Sequence, residues 1–262
     1  MLGSPIQHSL SPALHRAAYA ELGLTTWVYD RYDVKADALA DVVGQCDPAW
    51  RGLSLTMPLK TAVLELGEVD PLAARAGAGN TLIFDDDARR VYNTDVGGLV
   101  WAIGRASEAS MRRITILGAG ATARSALVSA AELGAETVTV VARTPDKAAP
   151  LRDLGAELGV DVQVVGWGPD LPPADLVVST VVANAADELA QAAAASASVV
   201  FDAVYAPWPT RLAEVAAAAD RTVVSGLDLL VGQALLQIEL MTGRSVSADV
   251  LYAAGRAQLV ED

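Results

Sequence analysis

The segment RITILGAGATARSALVSAAELGAETVTVVARTPDKAA, residues 113–149, constrains the fold more than any other stretch of the chain. A β-branched run ends at Leu117, and Gly118 permits a tight turn. Gly120 lets the backbone approach a pyrophosphate, and Ala123 takes a third small position where a helix packs on the strand it follows. The start of that helix offers unpaired N–H groups and the positive end of its dipole to phosphates. The helix stops at Gly134 and a second β-branched strand follows. G-x-G-x-x-A alone is a weak pattern, and a glycine-rich turn with no ligand is the plain alternative. Strand, glycines, helix, terminal glycine and second strand in register favour a dinucleotide site.

The end of the second strand separates the two nicotinamide cofactors. An NAD site wants Asp or Glu there, to bond the ribose 2′-OH. This strand ends Val141-Ala142-Arg143-Thr144, with Lys147 one turn on, and Arg143 lies 143 − 118 = 25 residues past the first glycine. A guanidinium can fork onto a 2′-phosphate, so the expected cofactor is NADP. The alternative is that Arg143 and Lys147 are solvated surface charges.

The same rhythm continues on both sides. Strands are expected at 113–117, 137–141, 161–165, 175–179, 198–202 and 221–224, with helices at 121–133, 146–158 and 185–195, which is a doubly wound pattern. Before it, helices are expected at 13–23, 36–45, 59–66 and 96–106, and strands at 26–33, 51–56, 81–84 and 90–92, the last two around the acidic turn Asp85-Asp86-Asp87. Helices 227–242, with polar interruptions at Asp228, Gln233, Gln237 and Glu239, and 247–258 close the chain. The expected fold class is α/β: an N-terminal α/β domain completed by the C-terminal helices, plus a doubly wound domain.

Composition excludes several function classes. The formal net charge of −13 opposes nucleic acid and anionic membranes, and no apolar run reaches spanning length. The first residues carry no signal-peptide pattern, and the single Cys46 reads as structural, so a cytoplasmic protein is expected. Two histidines, His8 and His15, and no Cys/His ligand spacing lead us to expect no metal site.

Further polar clusters stand at turns and element ends: Gly3-Ser4-Pro5-Ile6-Gln7-His8-Ser9-Leu10-Ser11-Pro12, Leu55-Thr56-Met57-Pro58-Leu59-Lys60, Gly79-Asn80-Thr81, Asn93-Thr94-Asp95, Asp202-Ala203-Val204-Tyr205-Ala206-Pro207 and Gly232-Gln233-Ala234. In this order, interleaved with the NADP fingerprint, they resemble the shikimate dehydrogenase family over nearly the whole chain. The resemblance implies a substrate domain of residues 1–96 and 227–262 and a Rossmann-type NADP domain of residues 97–226, with the active site in the cleft. It implies NADPH-dependent reduction of 3-dehydroshikimate to shikimate in aromatic amino-acid biosynthesis. Ser9 and Ser11 would bind the substrate carboxylate with Tyr205 nearby, and Thr56, Lys60, Asn80, Asp95 and Gln233 would hold the ring hydroxyls. The cofactor set is Gly118, Ala119, Gly120, Ala121, Ala123, Ala142, Arg143, Thr144, Lys147 and Gly226.

The chemistry of the residues agrees. Hydride transfer to a ketone needs a proton donor at the oxygen, and Lys60 carries one, with Asp95 to orient it. The alternative is a surface lysine and a helix-capping Asp95. Ser9 and Ser11 have a rival role as turn and N-cap residues, with Ser11-Pro12 as Ncap and N1. Asn80 could be a satisfied turn amide, and neither histidine is expected to be catalytic.

Some positions depart from the family pattern. Ser54 stands for Asn, so a hydrogen bond there should be shorter or lost; Leu55 stands for Val and Ala121 for Gly. Ala142 stands for Asn, and Ser179-Thr180-Val181 for N-A-T, which bears on a nicotinamide-side contact. The strand expected before Gly3 is missing, so either the true start lies upstream or the sheet has an altered edge. The rival functions are a quinate or aminoshikimate dehydrogenase, and a non-catalytic NADP-binding regulator; Ser11 and Arg143 favour shikimate and NADP over the first, and Lys60 and Asp95 count against the second. Small molecules are the expected partners, with a monomer or homodimer as the assembly.

Overall fold

The structure is a computed structural model that describes residues 1–85 and 88–261. The middle of the expected acidic turn, Asp86 and Asp87, lies outside the described residues. The chain divides into two compact units, Met1–Gly98 with Leu230–Asp262, and Leu99–Leu229.

The first unit opens with β1 (Leu2–Gly3), α1 (Ser11–Glu21), β2 (Tyr32–Asp33), α2 (Leu39–Gly44) and β3 (Gly52–Ser54). Then come β4 (Glu68–Val69), α3 (Pro71–Ala76), β5 (Thr81–Asp85), β6 (Ala88–Tyr92) and α4 (Thr94–Ala106), within which the unit boundary falls. One sheet runs in the order β3-β5-β6-β4, with β3 and β6 antiparallel to β5 and β4 parallel to β6. β1 pairs in parallel with β2, and Leu2 bridges to Leu55. The strand missing from the sequence reading is therefore present as a two-residue piece. Leu2, Val43, Leu53, Leu59, Val63, Leu82 and Val91 fill the core.

Three expectations change here. The strand expected over 26–33 pairs only at Tyr32–Asp33, because its partner strand is equally short. Its inward residue, Tyr29, contributes a ring stacked on His15 rather than a ladder hydrogen bond. The helix expected at 59–66 shrinks to a 3₁₀ turn, Ala62–Glu65. α1 starts at Ser11 with Leu10 in the N-cap position, so Ser11 and Pro12 fill the first two helical positions.

The second unit contains β7 (Arg113–Leu117), α5 (Ala121–Glu132), β8 (Thr137–Ala142), α6 (Ala149–Leu158), β9 (Asp161–Gly166), β10 (Leu176–Ser179) and α7 (Ala190–Ser196). β11 (Val199–Asp202), α8 (Arg211–Ala218), β12 (Thr222–Ser225) and the start of α9 (Gly226–Thr242) complete it. The six strands are all parallel, in the order β12-β11-β10-β7-β8-β9. Every residue of β10 and β11 is buried, as a sheet covered on both faces requires. Strand order reverses between β7 and β10, and in such sheets ligands bind at the carboxyl ends of the strands flanking the reversal. The rest of α9 returns to the first unit, where α10 (Ala248–Glu261) packs on α1.

Candidate active site

In the first unit, three of the expected site residues meet. Lys60 sits in the turn after β3, and its carbonyl accepts from Gly79 N–H at 2.7 Å. That approach needs a glycine, since a Cβ on Gly79 would stand 2.3 Å from Val91 Cγ1. Asp95 lies in the first turn of α4, where a negative charge favours the helix dipole. The capping alternative for Asp95 fails: Asn93 does that work, its Oδ1 accepting from Val96 N–H at 3.2 Å. The Asp95 carboxylate instead accepts from Lys60 Nζ at 2.6 Å on Oδ2 and from Asn80 Nδ2 at 2.9 Å on Oδ1. The Lys60 and Asp95 side chains stay 28% and 17% exposed, enough to meet a ligand. Asn80 is buried and held through its own amide oxygen, which accepts from Thr94 N–H at 2.8 Å and Thr81 Oγ1 at 2.9 Å.

The other expected substrate residues are placed as follows. Ser11 is buried, and Ser9 is half-buried with its Oγ accepting from Ser11 N–H at 3.3 Å. Ser9 also lines a polar cavity of about 370 Å³ with Arg16, Arg31 and Gln258. Thr56 is half-buried, its methyl against Gly3, where a Cβ would come within 2.3 Å. Gln233 is buried on α9, its Nε2 donating to Leu230 O at 2.9 Å. Its backbone touches Gly98 so closely that a Cβ there would stand 2.6 Å from Gln233 N. Tyr205 belongs to the second unit, half-buried on the loop after β11, where burial raises its phenol. Asp202, at the foot of that loop, is buried and also pushed up by desolvation, while Thr210 Oγ1 donates to it at 2.7 Å.

Several participants were not legible as site residues. Gln237, Thr81, Tyr29 and Ser54 continue the network behind Asn80. Gln237 Nε2 donates to Thr81 Oγ1 at 2.8 Å, Ser54 Oγ donates to Gln237 Oε1 at 2.8 Å, and Tyr29 OH donates to Ser54 at 2.6 Å. Ser54, where a hydrogen bond is expected to be shorter or lost, makes one on each side of its hydroxyl. His15, also buried, lies with Nε2 3.2 Å from Gln237 Oε1, and desolvation lowers its imidazole to about 3. The signal for Gln237 was a polar residue interrupting an apolar helix. A cavity of about 460 Å³, lined by Trp27, Tyr29, Trp50 and Met241, contains neither Lys60 nor Asp95.

In the second unit, Gly118 follows β7 with φ +112°, a conformation for glycine. A Cβ there would lie 2.6 Å from Thr180 Oγ1, which donates to Leu117 O at 2.8 Å. Thr180 thus closes the space between the ends of β7 and β10. Ala119 is half-buried, and Gly120 is the N-cap of α5 with open space around it and no side-chain cap on the helix. Ala121 is exposed, so its side chain does not block the turn, and Ala123 is buried against the sheet. The N–H groups of this first turn face a surface that a diphosphate can take. Ala142 ends β8 buried, while Arg143, Thr144 and Lys147 are exposed beside it. Gly226 packs on the β11 loop, where a Cβ would stand 2.2 Å from Ala203 O. Among the described residues no group of His, Cys, Asp or Glu is placed to hold a metal, and no helix is long and apolar enough to cross a membrane.

Comparison with known proteins follows this geometry. Residues 1–82 match the shikimate dehydrogenase substrate binding domain family. A shikimate dehydrogenase (NADP⁺) of Methanothermobacter thermautotrophicus is 34% identical over 100% of this chain and 96% of its own. The crystal structure of Mycobacterium tuberculosis shikimate dehydrogenase superposes with a TM-score of 0.90 at 41% identity, covering 98% of this chain and 97% of that one. The shikimate 5-dehydrogenase of Thermus thermophilus, solved in complex with NADP(H) and shikimate, gives a TM-score of 0.84 at 30% identity over 98% of each chain.

Proposed function

The chain belongs to the shikimate dehydrogenase family, and on that premise we propose that it catalyses the reversible NADPH-dependent reduction of 3-dehydroshikimate to shikimate. The observation that carries the reading is the Lys60–Asp95–Asn80 cluster, a lysine proton held by a carboxylate that is itself held by a buried amide. When bound, the cofactor supplies a hydride to the carbonyl carbon. Lys60 delivers the proton to the oxygen on which charge develops, and in the reverse direction takes it back. Asp95 keeps the ammonium aimed, and Asn80 keeps the carboxylate in one rotamer.

Ser9 and Ser11 bind the substrate carboxylate, and Thr56, Asn80 and Gln233 order the ring hydroxyls. Gly118 and Gly120 let the backbone close on the diphosphate, and Ala119, Ala121 and Ala123 leave room for it. Arg143, Thr144 and Lys147 take the 2′-phosphate, which the absence of a carboxylate at the end of β8 permits. We take the enzyme to be cytoplasmic, a monomer or homodimer acting on small molecules. Lys60→Ala tests the role of the acid: kcat should fall by roughly 10²–10⁴. A change confined to KM would make Lys60 a binding residue only.

A further inference from the structure

Behind the reacting pair and Asn80 runs a line of buried polar side chains, Thr81, Gln237 and Ser54, that the mechanism above does not use. Its polarity is forced at each step. The Asp95 carboxylate can only accept, so Asn80 turns Nδ2 toward it at 2.9 Å. Asn80 Oδ1 then faces the other way, where Thr94 N–H, which can only donate, meets it at 2.8 Å. The Thr81 hydroxyl, 2.9 Å from that same oxygen, must therefore donate, and its own oxygen accepts from Gln237 Nε2 at 2.8 Å. A second contact fixes the Gln237 amide independently: Nε2 also donates to the Asn80 carbonyl at 3.2 Å. Gln237 Oε1 is left facing Ser54, which donates at 2.8 Å and accepts from Tyr29 OH at 2.6 Å.

Every donor in this line points toward Asp95. Hydrogen bonds that run one way polarise one another, and a chain ending on an anion is strengthened along its length. Gln237 is the midpoint, and the side chain through which α9 reaches β5. It is 1% exposed, so water cannot replace it. We propose that Gln237 is a positioning residue for the Lys60–Asp95 pair: it orders Thr81 and Asn80, and so holds the carboxylate that aims the Lys60 ammonium. The proposal rests on the reading that this pair performs the proton transfer.

The test uses the purified full chain with shikimate and NADP⁺, as wild type, Gln237→Met, Tyr29→Phe and the double variant. Gln237→Met keeps the side-chain length and removes both hydrogen-bonding ends. It should lower kcat about tenfold, with the KM for NADP⁺ within about twofold of wild type, as loss of one transition-state hydrogen bond predicts. Tyr29→Phe keeps the ring and its stacking, and should lower kcat about threefold. The double variant should be no slower than Gln237→Met alone, because both changes cut one line. A folded Gln237→Met with wild-type kcat overturns the proposal, as do losses that multiply in the double variant. If Gln237→Met does not fold, Tyr29→Phe decides alone, and an unchanged kcat overturns it. Absence of turnover in the wild type would sink the reading beneath the proposal; active wild type with unmoved variants sinks only the role of Gln237.

Discussion

Gly118→Ala is the substitution whose cost can be worked most completely from the structure. The residue has φ +112°, where an L side chain is strained by roughly 1–3 kcal/mol. The added Cβ would lie 2.6 Å from Thr180 Oγ1 and 3.1 Å from Val181 Cγ1. Thr180 can retreat only by giving up its 2.8 Å hydrogen bond to Leu117 O, a further loss of about 1 kcal/mol. Together these predict a destabilisation of roughly 2–4 kcal/mol. For a unit of this size that corresponds to a fall of roughly 6–12 °C in the calorimetric transition of the second unit. The apparent KM for NADP⁺ should rise with it, because this is the loop proposed to hold the diphosphate. Thr180→Ala alone should cost about 1 kcal/mol. The double variant should be no less stable than Gly118→Ala alone, because Thr180→Ala removes the same hydrogen bond that the collision breaks and the two losses do not add. A Gly118→Ala transition within about 1 °C of wild type would refute the reasoning, and a double variant as stable as Thr180→Ala alone would remove backbone strain from it.

Arg143→Ala should weaken NADPH binding by roughly 1.5–3 kcal/mol, the worth of a charge-assisted hydrogen bond, with little effect on NADH; equal weakening of both cofactors in a binding titration would end the assignment. Gly98→Ala puts a Cβ 2.6 Å from Gln233 N, so it should cost roughly 1–3 kcal/mol by overpacking and raise the KM for shikimate; a neutral effect on both would contradict the close crossing. Burial lowers the His15 imidazole from 6.5 to about 3, so as pH drops below 6.5 the unfolded chain binds a proton that the folded chain does not, and stability is lost down to about pH 3. From about pH 7.5 to about pH 5 this group removes about 2 kcal/mol. His15→Phe should therefore show a shallower fall of Tm over that range, and parallel slopes would exclude His15 as the cause.

The sheet of the second unit was the most legible part of the chain. Its inner strands, β7, β8, β10 and β11, are β-branched runs buried along most of their length, and they announce themselves without knowledge of their partners. The first unit hid more. β4 is two residues long and exists because β6 lies beside it. α3 went unread although its ends are marked: Asp70 caps Leu72 N–H at 2.9 Å, Pro71 begins the helix, and Gly77 ends it at φ 59°. The stretch 26–33 alternates like a strand but spends its inward ring on His15.

The candidate site divides in the same way. Lys60, Asn80 and Asp95 stand in short polar clusters, and chemistry picks them out. Thr94, Thr81 and Gln237 act through the polarity of hydrogen bonds closed between elements far apart in the chain. In the sequence Thr81 and Thr94 show only as members of those clusters, and Gln237 only as one of four polar interruptions of an apolar helix.

The most direct measurement of the central reading is a spectrophotometric assay of the purified protein. Reduction of NADP⁺ and then NAD⁺ would be followed with shikimate, and again with quinate. The account predicts turnover with shikimate and NADP⁺, and weaker turnover with NAD⁺ or quinate. No turnover with either acid would contradict it.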